Sequence, residues 1–144
     1  MGFTLMKVRG YAMSTKYELP QRSEVAIQDT WDLTPIFAND EAWYQEFEKL
    51  SKDLGEVSGF IGKLTDSADA LLSGLKYRDD MSYRLEMLYV YAHLMFDVDT
   101  TDSKYQAMNA KIQSLVADFG ASFAFYSTEL LAGDEKQIRG FLES

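Results

Sequence analysis

The chain has 144 residues, enough for one domain or part of one, and its 47% hydrophobic and 14% aromatic content excludes wholesale disorder. It contains no cysteine, which excludes a disulfide scaffold, thiolate metal ligation and a thiol nucleophile, and suits a reducing cytoplasm. A formal charge of -9 with scattered Lys and Arg argues against nucleic acid as a partner, because neutralising phosphates takes massed cations.

From Met1 to Met13 the apolar residues are interrupted by Lys7 and Arg9, so no signal-peptide core forms. Met6 stands where myristoylation needs Ser or Thr. No apolar run approaches the roughly 20 residues of a membrane helix, and no membrane partner is expected. Met13-Ser14-Thr15-Lys16 reads as an alternative start, and residues 1–13 are expected to be a disordered extension. Residues 14–38 carry Pro20, Pro35 and isolated large side chains (Trp31, Leu33, Ile36, Phe37) without helical period. They predict an extended arm docked on a body, with one short turn capped by Thr34 and opened by Pro35.

A helix is predicted from Asn39 or Asp40 to about Leu54, with Trp43, Phe47, Leu50 and Leu54 on one face. Gly55 is its expected stop. Val57, Phe60, Ile61 and Leu64 predict a second short helix, and Asp66 or Ser67 caps a third holding Ala68, Leu71, Leu72 and Leu75. The long helix predicted from about Tyr77 to Phe96 has two apolar stripes. One is Tyr77, Met81, Leu85, Leu88, Ala92 and Met95; the other is Tyr83, Met87, Val90 and Leu94. A helix apolar on nearly all sides must be buried on nearly all sides, and a chain this short can hardly supply that cover. The segment therefore reads as the inside of something larger, with self-association through exposed apolar surface as a further expectation. Ser103 with Gln106 fits a capping box, and Tyr105, Met108, Ile112, Leu115, Phe119, Phe123 and Tyr126 continue one face. The short connection makes the two long helices antiparallel neighbours, and Asp134 opens a last helix. The fold class is all-α: a helical bundle with a long antiparallel hairpin and an extended N-terminal arm.

Little catalytic chemistry is available. A zinc peptidase site needs His-Glu-x-x-His, two imidazoles one turn apart with Glu as base. The single histidine, His93, has Tyr89, Val90, Phe96 and Asp97 as turn neighbours, so it is read as a buried histidine bonded to a neighbour in preference to a ligand or base. A serine triad would need the same His93, and no nucleophile elbow is present. Asp97-Val98-Asp99-Thr100-Thr101-Asp102 imitates the start of a calcium loop, but Asp102 and Met108 stand where that loop requires Gly and Glu. The acids are better explained as favouring the positive end of the next helix. The aromatic stripe reads as core in preference to a cofactor pocket, and Gly55, Gly59 and Gly62 lack phosphate-loop spacing. No residue is assigned as catalytic, cofactor-binding or metal-ligating. Residue chemistry by itself leaves open a stand-alone acidic helical adaptor whose second stripe binds a partner helix.

Several blocks narrow this choice. Thr30-Trp31-Asp32-Leu33-Thr34-Pro35-Ile36-Phe37, Ala42-Trp43, Leu88-Tyr89-Val90-Tyr91-Ala92-His93-Leu94, Asp99-Thr100-Thr101 and Tyr105-Gln106 occur in the order seen in one family. From about residue 20 onward the chain resembles the N-terminal region of oligoendopeptidase F, a zinc metallopeptidase of the thimet-oligopeptidase type. Asp102, where Asn is commoner, and Tyr126-Ser127-Thr128 depart from the pattern without touching chemistry. The resemblance implies that residues 39–144 are the incomplete helical front of a larger, mainly helical cytoplasmic enzyme that cleaves short peptides in a deep channel. It implies zinc in the intact enzyme but none in this chain, a missing C-terminal catalytic domain as partner, and a role here in the channel's wall and outer support. The chain by itself is expected to be inactive.

Overall fold

The structure, a computed structural model, describes residue 20 and residues 24–142. The chain divides into two compact units, residues 1–30 and 31–144. In the first, the described part holds a 3-10 turn, Ile27–Asp29, closed by the Thr30 hydroxyl on the Ile27 carbonyl at 2.6 Å. The extension expected over 1–13 lies outside the described residues.

The second unit opens with Asp32, whose carboxylate accepts from both the Thr34 N–H (3.0 Å) and the Thr34 hydroxyl (2.7 Å). The turn is therefore capped by Asp32 and not by Thr34. It is closed by the Ile36 and Phe37 N–H groups on the Leu33 carbonyl, and it sets Leu33, Ile36 and Phe37 against the core.

Five α-helices follow among the described residues: α1 Asp40–Asp53, α2 Ala68–Val98, α3 Ser103–Ser122, α4 Ala124–Ala132 and α5 Glu135–Leu142. Asn39 caps α1 through the Ala42 N–H at 2.9 Å, and Asp40 and Glu41 sit in the first turn where the helix dipole favours them. Beyond α1 the predicted second α-helix is a 3-10 segment, Leu54–Phe60, that turns Leu54 and Val57 inward. Gly55 lies inside that segment and is not a stop. The segment ends at Phe60, where Ile61 leaves helical geometry (φ -59°, ψ 127°) and Gly62 at φ 74° completes a turn closed by the Lys63 N–H on the Phe60 carbonyl at 3.0 Å.

Ser67 caps α2 through the Ala70 N–H at 3.1 Å. The separate helices predicted around Leu71 and from Tyr77 are one continuous helix of 31 residues, about 47 Å long at 1.5 Å per residue. Gly74 is no break within it; a Cβ there would lie 2.5 Å from Leu64 Cδ2, so the glycine admits the preceding loop. Between α2 and α3, Asp99 accepts from the Thr101 N–H and hydroxyl, and Asp102 caps α3 through the Lys104 N–H at 2.8 Å. The capping box expected at Ser103 does not form. Ser103 is already helical, and Gln106 Nε2 reaches the Thr100 carbonyl at 2.8 Å instead. The face expected to run unbroken through Tyr126 is interrupted at Phe123 (φ -96°, ψ 3°), where α3 gives way to α4. No proline or glycine occupies the break. Packing sets it: the Phe123 ring meets Tyr77, Phe119 and Tyr126, and the Tyr126 hydroxyl donates to the Gly74 carbonyl at 3.0 Å. These contacts bring the end of α3 back to the first turns of α2. Asp134 caps α5 through the Gln137 N–H at 2.7 Å.

The core runs between α1, α2 and α3. Trp43, Leu50, Leu64, Met81, Leu88, Met108 and Ile112 are its fully buried large side chains. Trp43 occupies the centre: its ring stacks on Phe47, and its indole N–H donates to the Leu88 carbonyl at 2.8 Å. The first stripe of α2 is buried as expected at Met81, Leu85, Leu88 and Ala92. The second is neither bare nor covered. Tyr83 is 62% exposed while Met87, Val90 and Leu94 are half-buried. Trp43→Ala should cost about 3–5 kcal/mol, removing a large ring from a site too tightly held to collapse; urea unfolding measures this. Gly74→Ala gains about 1 kcal/mol of helix propensity. It must also displace the fully buried Leu64, at about 1–3 kcal/mol. The expected net result is a lower melting temperature.

Candidate functional site

Two polar clusters carry the charge chemistry of the second unit. The first centres on Asp40, at the start of α1. Its carboxylate accepts from the Tyr91 hydroxyl of α2 at 2.7 Å and the Tyr105 hydroxyl of α3 at 3.4 Å, and pairs with Lys104. Burial pushes the Asp40 carboxyl up, but the hydrogen bonds from Lys104 and Tyr91 and the Lys104 charge outweigh it and hold the group below the usual carboxylate value. Burial and the bond to Asp40 push the Tyr91 phenol up, so it stays a neutral donor. Every functional atom of this cluster has a partner, which makes it a brace across three helices and not a proton-transfer site.

The second centres on Arg84 of α2. Its Nε contacts Glu46 at 2.5 Å, its Nη1 contacts Asp53 at 2.9 Å, and Asp80 lies 3.7 Å away. Glu46 and Asp53 are seven residues apart, two turns of α1, and so share a face. Burial lowers the Arg84 pKa, but the bonds it donates to Glu46 and Asp53 raise it by more, so the guanidinium is permanently charged. Its Nη2 is buried without a hydrogen-bond partner among the described residues. Arg84 also lines an open groove of about 380 Å³ with Pro35, Ile36, Phe37, Glu46, Tyr83 and Met87.

His93 is half exposed and not buried as expected; its ring stacks on Tyr89, and its Nε2 lies 3.5 Å from Asp97. Its position on the outer side of α2, away from the Leu88–Ala92 face, explains the exposure. Asp99 and Asp102 serve as caps, and hydrogen bonds from Thr101 hold the Asp99 carboxyl below its usual value. Among the described residues no three His, Cys, Asp or Glu side chains gather as a metal site would require, and His93 with Asp97 supplies two donors where zinc takes at least three protein ligands. These residues do not fit zinc. No described helix is long and apolar enough to cross a membrane. Sequence reasoning passed over Asp40 and Arg84. The spacing of Glu46 and Asp53 was the available signal for Arg84; nothing local pairs Asp40 with Tyr91.

The all-α architecture is that of helical peptidases. A crystal structure of oligoendopeptidase-F from Enterococcus faecium superposes with a TM-score of 0.68 at 27% identity, covering 73% of this chain and 21% of that one. A candidate peptidase from Chlamydophila abortus gives 0.79 at 28% identity, covering 88% and 22%. No protein-family profile matches. Oligopeptidase PepF of Bacillus subtilis is 40% identical over 139 residues, 94% of this chain and 21% of its own length. The chromosomal oligoendopeptidase F of Lactococcus lactis is 42% identical over 83% of this chain and 20% of its own length. The chain matches the N-terminal region of oligoendopeptidase F and spans about a fifth of the length of these relatives.

Asp40 provides a pH test. Its folded pKa is depressed, so its contribution to stability is complete above the unfolded value near about 4 and drains as pH falls through the folded one. Asp40→Asn should destabilise the fold by about 1–2 kcal/mol at pH 7, with a smaller difference from wild type at pH 3; urea unfolding at the two pH values reads both.

Proposed function

We propose that this chain is the N-terminal structural portion of an oligoendopeptidase F-like zinc metallopeptidase that hydrolyses short peptides. One observation carries the reading: 40% identity to a peptidase along 94% of this chain, confined to 21% of that relative. The His-Glu-x-x-His domain and its zinc belong to polypeptide outside these residues. No catalytic step is assigned here, because neither His93 nor the acids around it make a metal site. The contribution of this portion is shape. A rigid helical body, tied at Trp43 and braced at Asp40, supports and narrows a channel that admits short unfolded peptides, in a cytoplasmic enzyme. Residues 14–38 are its arm and 39–144 its helical body.

The chain alone, supplied with zinc, should leave a nine-residue peptide intact by chromatography. Replacing the matching segment of the Bacillus subtilis relative with this chain should preserve that protein's cleavage. Chelator-sensitive cleavage by the isolated chain would overturn the inactive-alone reading. The acidic adaptor is the rival, and a sharply melting monomer whose midpoint ignores concentration would favour it. Self-association in analytical ultracentrifugation is the expected outcome.

A further inference from the structure

We propose that the end of α4 and the whole of α5 form a strap over residues 61–66, and that strap and loop open together while the core of α1, α2 and α3 stays closed. The strap has an anchored end and a loose one. Phe123 and Tyr126 are buried, 6% and 2% exposed, and the Tyr126 hydroxyl donates to the Gly74 carbonyl. Beyond Tyr126 no described residue is buried, and Leu131 and Leu142 stand 87% and 77% exposed. Few buried apolar contacts place a segment at the low end of local stability. By itself that describes only a fraying helix. The further step comes from contacts that tie the loose end to a loop far away in the chain.

The Gly62 N–H donates to a Glu129 carboxylate oxygen at 2.5 Å, across 67 positions of the chain. Gln137 Nε2 donates to the Thr65 carbonyl at 3.1 Å, across 72. Between these bonds Gly133 lies against Thr65, where an added Cβ would be 3.0 Å from Cγ2. The loop's own bonds are short-range turns, the Lys63 N–H on the Phe60 carbonyl and the Asp66 N–H on the Lys63 carbonyl. Its one buried side chain is Leu64, seated at Gly74. Loop and strap therefore satisfy each other's polar groups, and parting them leaves both to water. Such coupling is reciprocal: what loosens α5 must loosen residues 61–66, and holding one holds the other. The strap thereby governs whether Leu64 stays seated in its notch at Gly74.

Native-state hydrogen exchange on the whole chain reads the coupling. The amides of Lys63, Asp66 and Ile138 are the reporters, because each donates within its own segment and to neither long-range partner. Glu129→Ala should speed all three about fivefold, the loss of one hydrogen bond to a charged group. Gln137→Ala should speed Lys63 and Asp66 as well, although alanine is the better helix former and by propensity alone would steady α5. Amides around Leu88 should keep their rates. A disulfide made by Thr65→Cys with Gly133→Cys gives the converse arm. The chain has no cysteine of its own, and the two Cβ atoms would lie within about 4.5 Å, inside the span of a disulfide. Oxidation of the pair should slow all three reporters, and dithiothreitol should restore them. If Lys63 and Asp66 keep their rates in both alanine variants, α5 frays alone and the coupling is refuted. Equal acceleration around Leu88 would make the strap part of the core and refute it too. A cysteine pair that stays reduced in the folded chain under oxidant would show that loop and strap do not meet.

Discussion

The contact of Trp43 with α2 is the constraint on which the rest of this unit hangs. Its indole N–H reaches across to the Leu88 carbonyl, in the C-terminal half of a 31-residue helix, and its ring is wholly buried. A ring of that size held by both area and a directed bond fixes α1 in register along α2. Once α1 is placed, Glu46 and Asp53 lie opposite Arg84, and Asp40 lies opposite Tyr91. The two polar clusters are consequences of that register. They could not form if α1 slid by a turn, because each carboxylate would then face a different residue of α2.

The polar clusters divide the work differently. Around Asp40 every donor and acceptor finds a partner, so the cluster locks the starts of α1 and α3 to α2. Around Arg84 the accounting is incomplete at Nη2, which is buried out of reach of solvent.

Local chemistry made much of this legible in the chain. The caps at Asn39, Ser67 and Asp134, the buried stripe of Met81, Leu85, Leu88 and Ala92, and the family blocks around Trp31 and Tyr91 all act over a few residues. What escaped was set at a distance. Leu64 lying against Gly74, and the break at Phe123 with its contacts to Tyr77 and Gly74, join residues far apart in the chain. The shift of the cap from Ser103 to Asp102 is the exception, since two adjacent residues compete for the same role and only backbone geometry chooses between them.

The sequence by itself determined an all-helical body, its principal buried face and its kinship, because periodicity, capping and blocks of identical residues are properties of neighbouring positions. Tertiary structure alone decided that the second stripe of α2 is left half-buried at Met87, Val90 and Leu94, that His93 faces outward, and that Arg84 is left one partner short. Those outcomes depend on which surfaces meet after folding, and exposure is a property of the assembled packing that no short run of residues encodes.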